Sequence, residues 1–127
     1  MEVLTTIVAR ILFGAPFIIF GLFHFVKGGD MSGLIPGWMP GALFWVYLTG
    51  LAHILAGIAI ITKKAGKPAS LLLALMLLIF VLMIHIPGMF NPETMEMETI
   101  NTLKNFIIIG GALGYAYIFT REEALAK

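Results

Sequence analysis

VLTTIVARILFGAPFIIFGLFHFV, from Val3 to Val26, is an apolar run interrupted by one charge, Arg10. A helix that crosses a bilayer needs roughly 20 mostly apolar residues, and this run is long enough. It does not read as a secretory signal. Glu2 is the first charge, so a basic leading region is missing, and the run is too long and lacks a small-x-small cleavage site followed by polar sequence. Placing a guanidinium at membrane depth costs at least about 2.5 kcal/mol, so a buried arginine is usually kept because something polar faces it. What Arg10 faces is therefore the first question to ask of this chain.

Three more runs have the same character: Gly41–Thr62, Pro68–Ile86 and Thr102–Thr120. The fourth is the shortest and carries Lys104 in its first turn. The chain is 60% hydrophobic and 12% charged, with a mean hydropathy of +1.00. A soluble domain typically carries about 25% charged residues, which makes a water-soluble fold the poorer explanation. Charges are absent from Met31 to Thr62 and from Pro68 to Pro92. The expected fold is all-α: one transmembrane four-helix bundle over residues 1–127, with helices at about 3–26, 41–62, 68–86 and 102–120. The absence of cysteine removes thiol–disulfide exchange, thiolate metal sites and iron–sulfur clusters. A net charge of +1 without a basic, aromatic-laced cluster gives no indication of nucleic acid.

The loops set the expected orientation. KKAGK, with Lys63, Lys64 and Lys67, joins the second and third helices, whereas NPETMEMET, with Glu93, Glu96 and Glu98, joins the third and fourth. Basic residues in short loops favour the cytoplasmic side, and acidic ones contribute little. The expectation is a multi-pass protein of the cell membrane with both termini cytoplasmic. Arg121 and Lys127 agree, and Lys27 dissents. Between the first two helices, GGDMSGLIPGWMPG is rich in turn residues but carries large apolar ones. It is expected to lie along the outer interface, with Trp38 either an aromatic anchor or part of a lid over the bundle mouth.

Packing faces follow from spacing. Arg10, Gly14, Phe17, Gly21 and His24 recur every three or four residues, as do Val46, Gly50, His53 and Gly57, so each set shares one side of its helix. Gly110 and Gly114 form a small-xxx-small pair, suited either to packing within the bundle or to a homo-oligomer. Pro16 removes a backbone donor and is a candidate kink.

Depth, at about 1.5 Å per residue, sorts the polar residues into two sets. The inner set is Arg10, His53 and one of Tyr115 and Tyr117, with no carboxylate at matching depth. Arg10 is then satisfied by carbonyls, hydroxyls, imidazole, water or a bound anionic or quinone-like ligand, or else its side chain snorkels to the headgroups. The outer set is His24, His85, Lys104 and Asn105, with Trp38, Asn91 and the three glutamates above it. Imidazoles there are able to relay protons or ligate a metal or haem across helices. The absence of HxxxH or HxxE on any single helix speaks against haem or metal, as does the irregular spacing of Met83, Met89, Met95 and Met97. For each histidine the plainer account is a polar side chain satisfied by a neighbouring helix.

RILFGAPFIIFGLFHF in the first helix is similar to the R–LG–F–G–(K/H)F pattern that opens DoxX-family membrane proteins. LTGLAHILAGIAII resembles that family's G–x–x–(E/H)–x–x–x–G segment. IHIPGMFNPE followed by INTLKNFIIIGGALGYAY resembles the end of its third helix and its fourth. The resemblance runs in order along essentially the whole chain. It implies a compact four-helix membrane protein whose recurring polar positions fall on Arg10, His24, His53, His85, Lys104 and Asn105. It also implies, for some members, a link to quinone-dependent oxidation or to membrane oxidoreductase assemblies. Many members carry glutamate where this chain has His53, which takes away the natural carboxylate partner of Arg10.

The expected function is a small component of a membrane redox or respiratory system that binds a quinone or similar lipid-soluble molecule. Arg10, His53 and a tyrosine would hold the headgroup, and a membrane redox partner would carry the electrons. The alternative is a non-catalytic assembly or scaffold subunit whose polar residues fix helix register. A small-solute or lipid transporter is disfavoured, since the halves show no internal repeat and no acid lies within a span.

Overall fold

The computed structural model describes all 127 residues and contains helices and turns only. Four helical stretches are long and apolar enough to cross a membrane: Leu4–Val26, Ala42–Thr62, Gly66–Gly88 and Met95–Leu125. Many large apolar side chains on them face outward, among them Leu12, Leu72, Leu82 and Ile107. Water would not tolerate so much exposed apolar surface, and lipid accommodates it. The protein is a multi-pass membrane protein of all-α class.

The chain divides into two compact units, Met1–Ala69 and Ser70–Lys127. In the first, α1 (Ala9–Val26) runs antiparallel to α3 (Ala42–Thr62), with the short α2 (Gly28–Ser32) between them in sequence. Glycines at seven-residue spacing set the contact. Gly14 lies against Gly57, and Gly21 against Gly50. A methyl added at Gly14 would sit 2.8 Å from the Gly57 carbonyl oxygen, and one at Gly21 would run into the Gly50 carbonyl. Without a hydrophobic force between helices in lipid, such backbone-to-backbone contact is what holds a pair together. Phe17, Val46, Ala56 and Ile60 fill the remainder of this interface and are buried.

α1 continues through Pro16 without interruption. At its start, Leu4–Val8 form a π-helical turn, and the Ala9 N–H donates to the Leu4 carbonyl five residues back. The expected loop between the first two spans is partly ordered. Gly41 takes a left-handed conformation (φ 71°) to start α3, and Trp45 Nε1 donates to the Pro40 carbonyl at 3.0 Å.

The second unit holds most of α4 (Gly66–Phe80), a π-helical turn at Val81–His85, the single turn α5 (Ile86–Gly88) and α6 (Met95–Leu125). Pro87 follows the π turn closely: a proline ring collides with the carbonyl four residues back in a regular helix, and a wider preceding turn relieves that collision. α6 begins at Met95, earlier than the expected start at Thr102. Glu98 therefore stands on a helix rather than in a loop. Glu98, Thr102, Asn105, Ala112, Ala116 and Phe119 form its buried stripe, at alternating intervals of three and four once the half-buried Ile109 is included.

Candidate functional site

The glycine register brings two imidazoles together in the first unit. His24 on α1 and His53 on α3 have ring centroids 5.0 Å apart at an angle of 38°. Gly50 makes this approach possible, because a methyl there would lie 2.5 Å from the His24 Cβ. His53 is buried and stacks on Phe17, with centroids 6.0 Å apart, whereas His24 is half-buried. His24 Nδ1 meets the Phe20 carbonyl at 2.6 Å, and His53 Nδ1 meets the Thr49 carbonyl at 2.7 Å. A carbonyl only accepts, so in both rings Nδ1 carries the hydrogen and Nε2 is the acceptor of the neutral imidazole. The site presents two rings of fixed tautomer beside an aromatic face.

Arg10 does not belong to it. Its Nε donates to the Thr6 carbonyl at 2.9 Å and its Nη1 to the Ile61 carbonyl at 2.8 Å. Ile61 lies in the last turn of α3, whose final carbonyls have no partner within the helix. A cation there also complements the negative end of the helix dipole. The expected pairing of Arg10 with His53 is thus replaced by a cap on the end of α3. Depth estimates taken from helix ends failed because the ends are not level. The first two turns of the α1 span extend past α3, which puts Arg10 beside Ile61 and about 12 Å along the axis from His53. His53 is partnered instead with His24, which the same estimates placed in the outer set.

In the second unit His85 and Glu98 form a pair, Nδ1 to Oε2 at 2.5 Å, with side chains 16% and 11% exposed. Gly88 makes room for the carboxylate, since a methyl there would lie 2.6 Å from Glu98 Cγ. Thr94 Oγ1 donates to the Gly88 carbonyl at 2.8 Å and Thr102 Oγ1 to the Glu98 carbonyl at 2.8 Å, so both sides of the pair are tied down. Sequence reasoning placed Glu98 above the outer set and missed that it is on the buried face of α6. The spacing Glu98–Thr102–Asn105 carried that signal.

The remaining expected residues scatter. Trp38 is 74% exposed and Tyr117 66% exposed. Tyr115 is half-buried and tilts against Phe119 at 5.9 Å. Lys104 is exposed, and its Nζ donates to Asn101 Oδ1 at 3.2 Å, whereas its neighbour Asn105 is buried. Gly110 and Gly114 have nothing within 4 Å of an added methyl, so this pair does not serve close packing within its own unit. No group of three or more histidine, cysteine, aspartate or glutamate side chains is placed to hold a metal ion.

A family model described as a domain of unknown function, DUF8561, matches residues 13–102. The chain belongs to the DUF8561 family. The matched DUF8561 segment contains both close pairs, His24–His53 and His85–Glu98, and leaves Arg10, Lys104, Asn105, Tyr115 and Tyr117 outside. Comparison with curated proteins and with solved structures gives no match.

Proposed function

We propose that this protein is a DoxX-like component of a membrane redox system that binds a quinol among its helices, with His24 and His53 as the headgroup ligands. The observation that carries this reading is the imidazole pair, two rings 5.0 Å apart with both Nδ1 atoms committed to backbone carbonyls. In each neutral ring the acceptor atom is then Nε2, the kind of atom that complements the hydroxyl donor of a quinol. Phe17, stacked on His53, extends the site with an apolar face suited to an aromatic ring. An imidazole acceptor nitrogen is also fit to take a proton that a quinol releases as it is oxidised. The electrons pass to a membrane redox partner. The protein lies in the cell membrane with both termini cytoplasmic, an orientation supported by the lysines of the Lys63–Lys67 loop.

The alternative, a non-catalytic assembly subunit, draws on Arg10, whose two hydrogen bonds are to carbonyls and serve helix register alone. One experiment separates the two readings. Protein purified in mild detergent is mixed with a short-chain quinol, and retained quinol is measured after gel filtration. The quinol reading expects retention by the wild type and its loss in His53→Phe and in His24→Phe. A wild type that retains no quinol overturns it in favour of the assembly subunit.

A further inference from the structure

The His85–Glu98 pair has no part in the quinol reading, yet it is the most elaborately positioned polar contact in the second unit. Three separate features create it. The π turn at Val81–His85 ends on the imidazole, Gly88 yields the space that Glu98 fills, and Thr94 holds the Gly88 carbonyl. A carboxylate and an imidazole in a membrane span are costly to keep, and such residues commonly mark proton relays. The plain alternative is a clasp between the π turn and α6.

The geometry favours transfer over a clasp. His85 Nδ1 donates to Glu98 Oε2. The ring's other nitrogen, Nε2, makes no hydrogen bond. An imidazole with one nitrogen on a carboxylate and the other open is able to take a proton on one side and release another on the opposite side. No other titratable group faces the pair from the elements packed on it in this unit. Glu93 and Glu96 are exposed, Lys104 is exposed and bonded to Asn101, and Tyr115, Tyr117, Arg121, Glu122 and Glu123 lie towards the other end of α6.

We propose that Glu98 is a protonatable membrane carboxyl that exchanges protons with water through the His85 ring. In the inward step, Nε2 takes a proton from hydronium and the Nδ1 proton moves to Glu98 Oε2. The carboxyl ends neutral and the imidazole ends neutral in its other tautomer. The reverse step returns the proton to water, so charge and atoms balance without a redox partner. His85 is in this sense a positioning and transfer residue for Glu98. The proposal stands independently of quinol binding.

The test is a pH jump on protein in lipid nanodiscs, followed by infrared spectroscopy of the carboxyl C=O band, with the band assigned by its loss in Glu98→Gln. The expected result is rapid protonation in the wild type and a rate at least about 100-fold lower in His85→Phe, in line with the contribution of a positioned proton-transfer group. Imidazole added to the buffer should restore the rate in His85→Phe. That rescue also excludes misfolding as the cause of the slow phase. A Glu98 band that titrates equally fast in His85→Phe overturns the proposal. So does the absence of any wild-type band that Glu98→Gln removes.

Discussion

At the scale of single residues, the fold depends on atoms that are missing. Gly21 permits the Gly50 carbonyl to approach, and a Cβ there would meet backbone, which cannot rotate away. Gly21→Ala should therefore force α1 and α3 apart and destabilise the protein by about 1–3 kcal/mol, the usual range for overpacking. Gly110→Ala is the control on α6, where an added methyl meets nothing and the change should stay within about 0.5 kcal/mol. Thermal or denaturant unfolding in detergent compares the two, and equal losses would refute the glycine register. Arg10 gives a second contrast. Arg10→Leu removes the bond to the Ile61 carbonyl and should cost about 1.5–3 kcal/mol, the range for a hydrogen bond from a charged donor. It should leave quinol retention unchanged, since the imidazoles lie about 12 Å away along the axis. A loss of quinol at unchanged stability would put Arg10 back in the site.

At the scale of elements, the sequence revealed faces better than levels. Gly14, Phe17 and Gly21 on one helix and Val46, Gly50, His53 and Gly57 on the other were legible as packing stripes, and all are buried. Helix periodicity carries that information directly. The relative slide of two antiparallel helices is set by which glycine meets which. One chain's spacing does not contain that choice, and so Arg10 was matched with His53. The start of α6 was missed for a different reason. Glu93, Glu96 and Glu98 read as a solvated loop, whereas acidic residues are also at home in the first turn of a helix, where its dipole favours them. The π turn before Pro87 leaves only the proline as a trace in sequence. Pro87→Ala removes the collision that the wide turn avoids, and a regular helix there would rotate His85 by about 100° relative to α4, the angle of one residue. A double-mutant cycle between His85→Phe and Glu98→Gln should show coupling of about 1.5–3 kcal/mol in the wild-type background and little in Pro87→Ala. Equal coupling in both backgrounds would show that the proline does not set the contact.

At the scale of the whole molecule, what matters is which way the chain faces, because that decides which compartment supplies protons to each pair. In the proposed topology the four candidate spans all cross, which puts the two termini and the loop at Lys63–Lys67 on one side of the membrane. Arg10 strengthens the basic character of that side, since its contact with Ile61 places it beside Lys63 and Lys64. At the opposite end of α1 stands Lys27, with Asp30 three residues on. The Glu93–Glu98 segment there adds acidic charge, which counts for little in the rule, but no lysine or arginine. Arg10, Lys63, Lys64, Lys67, Arg121 and Lys127 against Lys27 is the charge bias on which the proposed cytoplasmic Lys63–Lys67 loop rests. His85 and Glu98, near the end of the third span away from that loop, would then exchange protons with the external side. A fluorescent protein fused after Lys127 should fold and fluoresce in the cytoplasm, and alkaline phosphatase at the same point should be inactive. Replacing Lys63, Lys64 and Lys67 with asparagine should weaken that contrast, because only Arg10, Arg121 and Lys127 then oppose Lys27. Active phosphatase fused to the wild-type C-terminus would invert the orientation and assign the Glu98 proton to the cytoplasm.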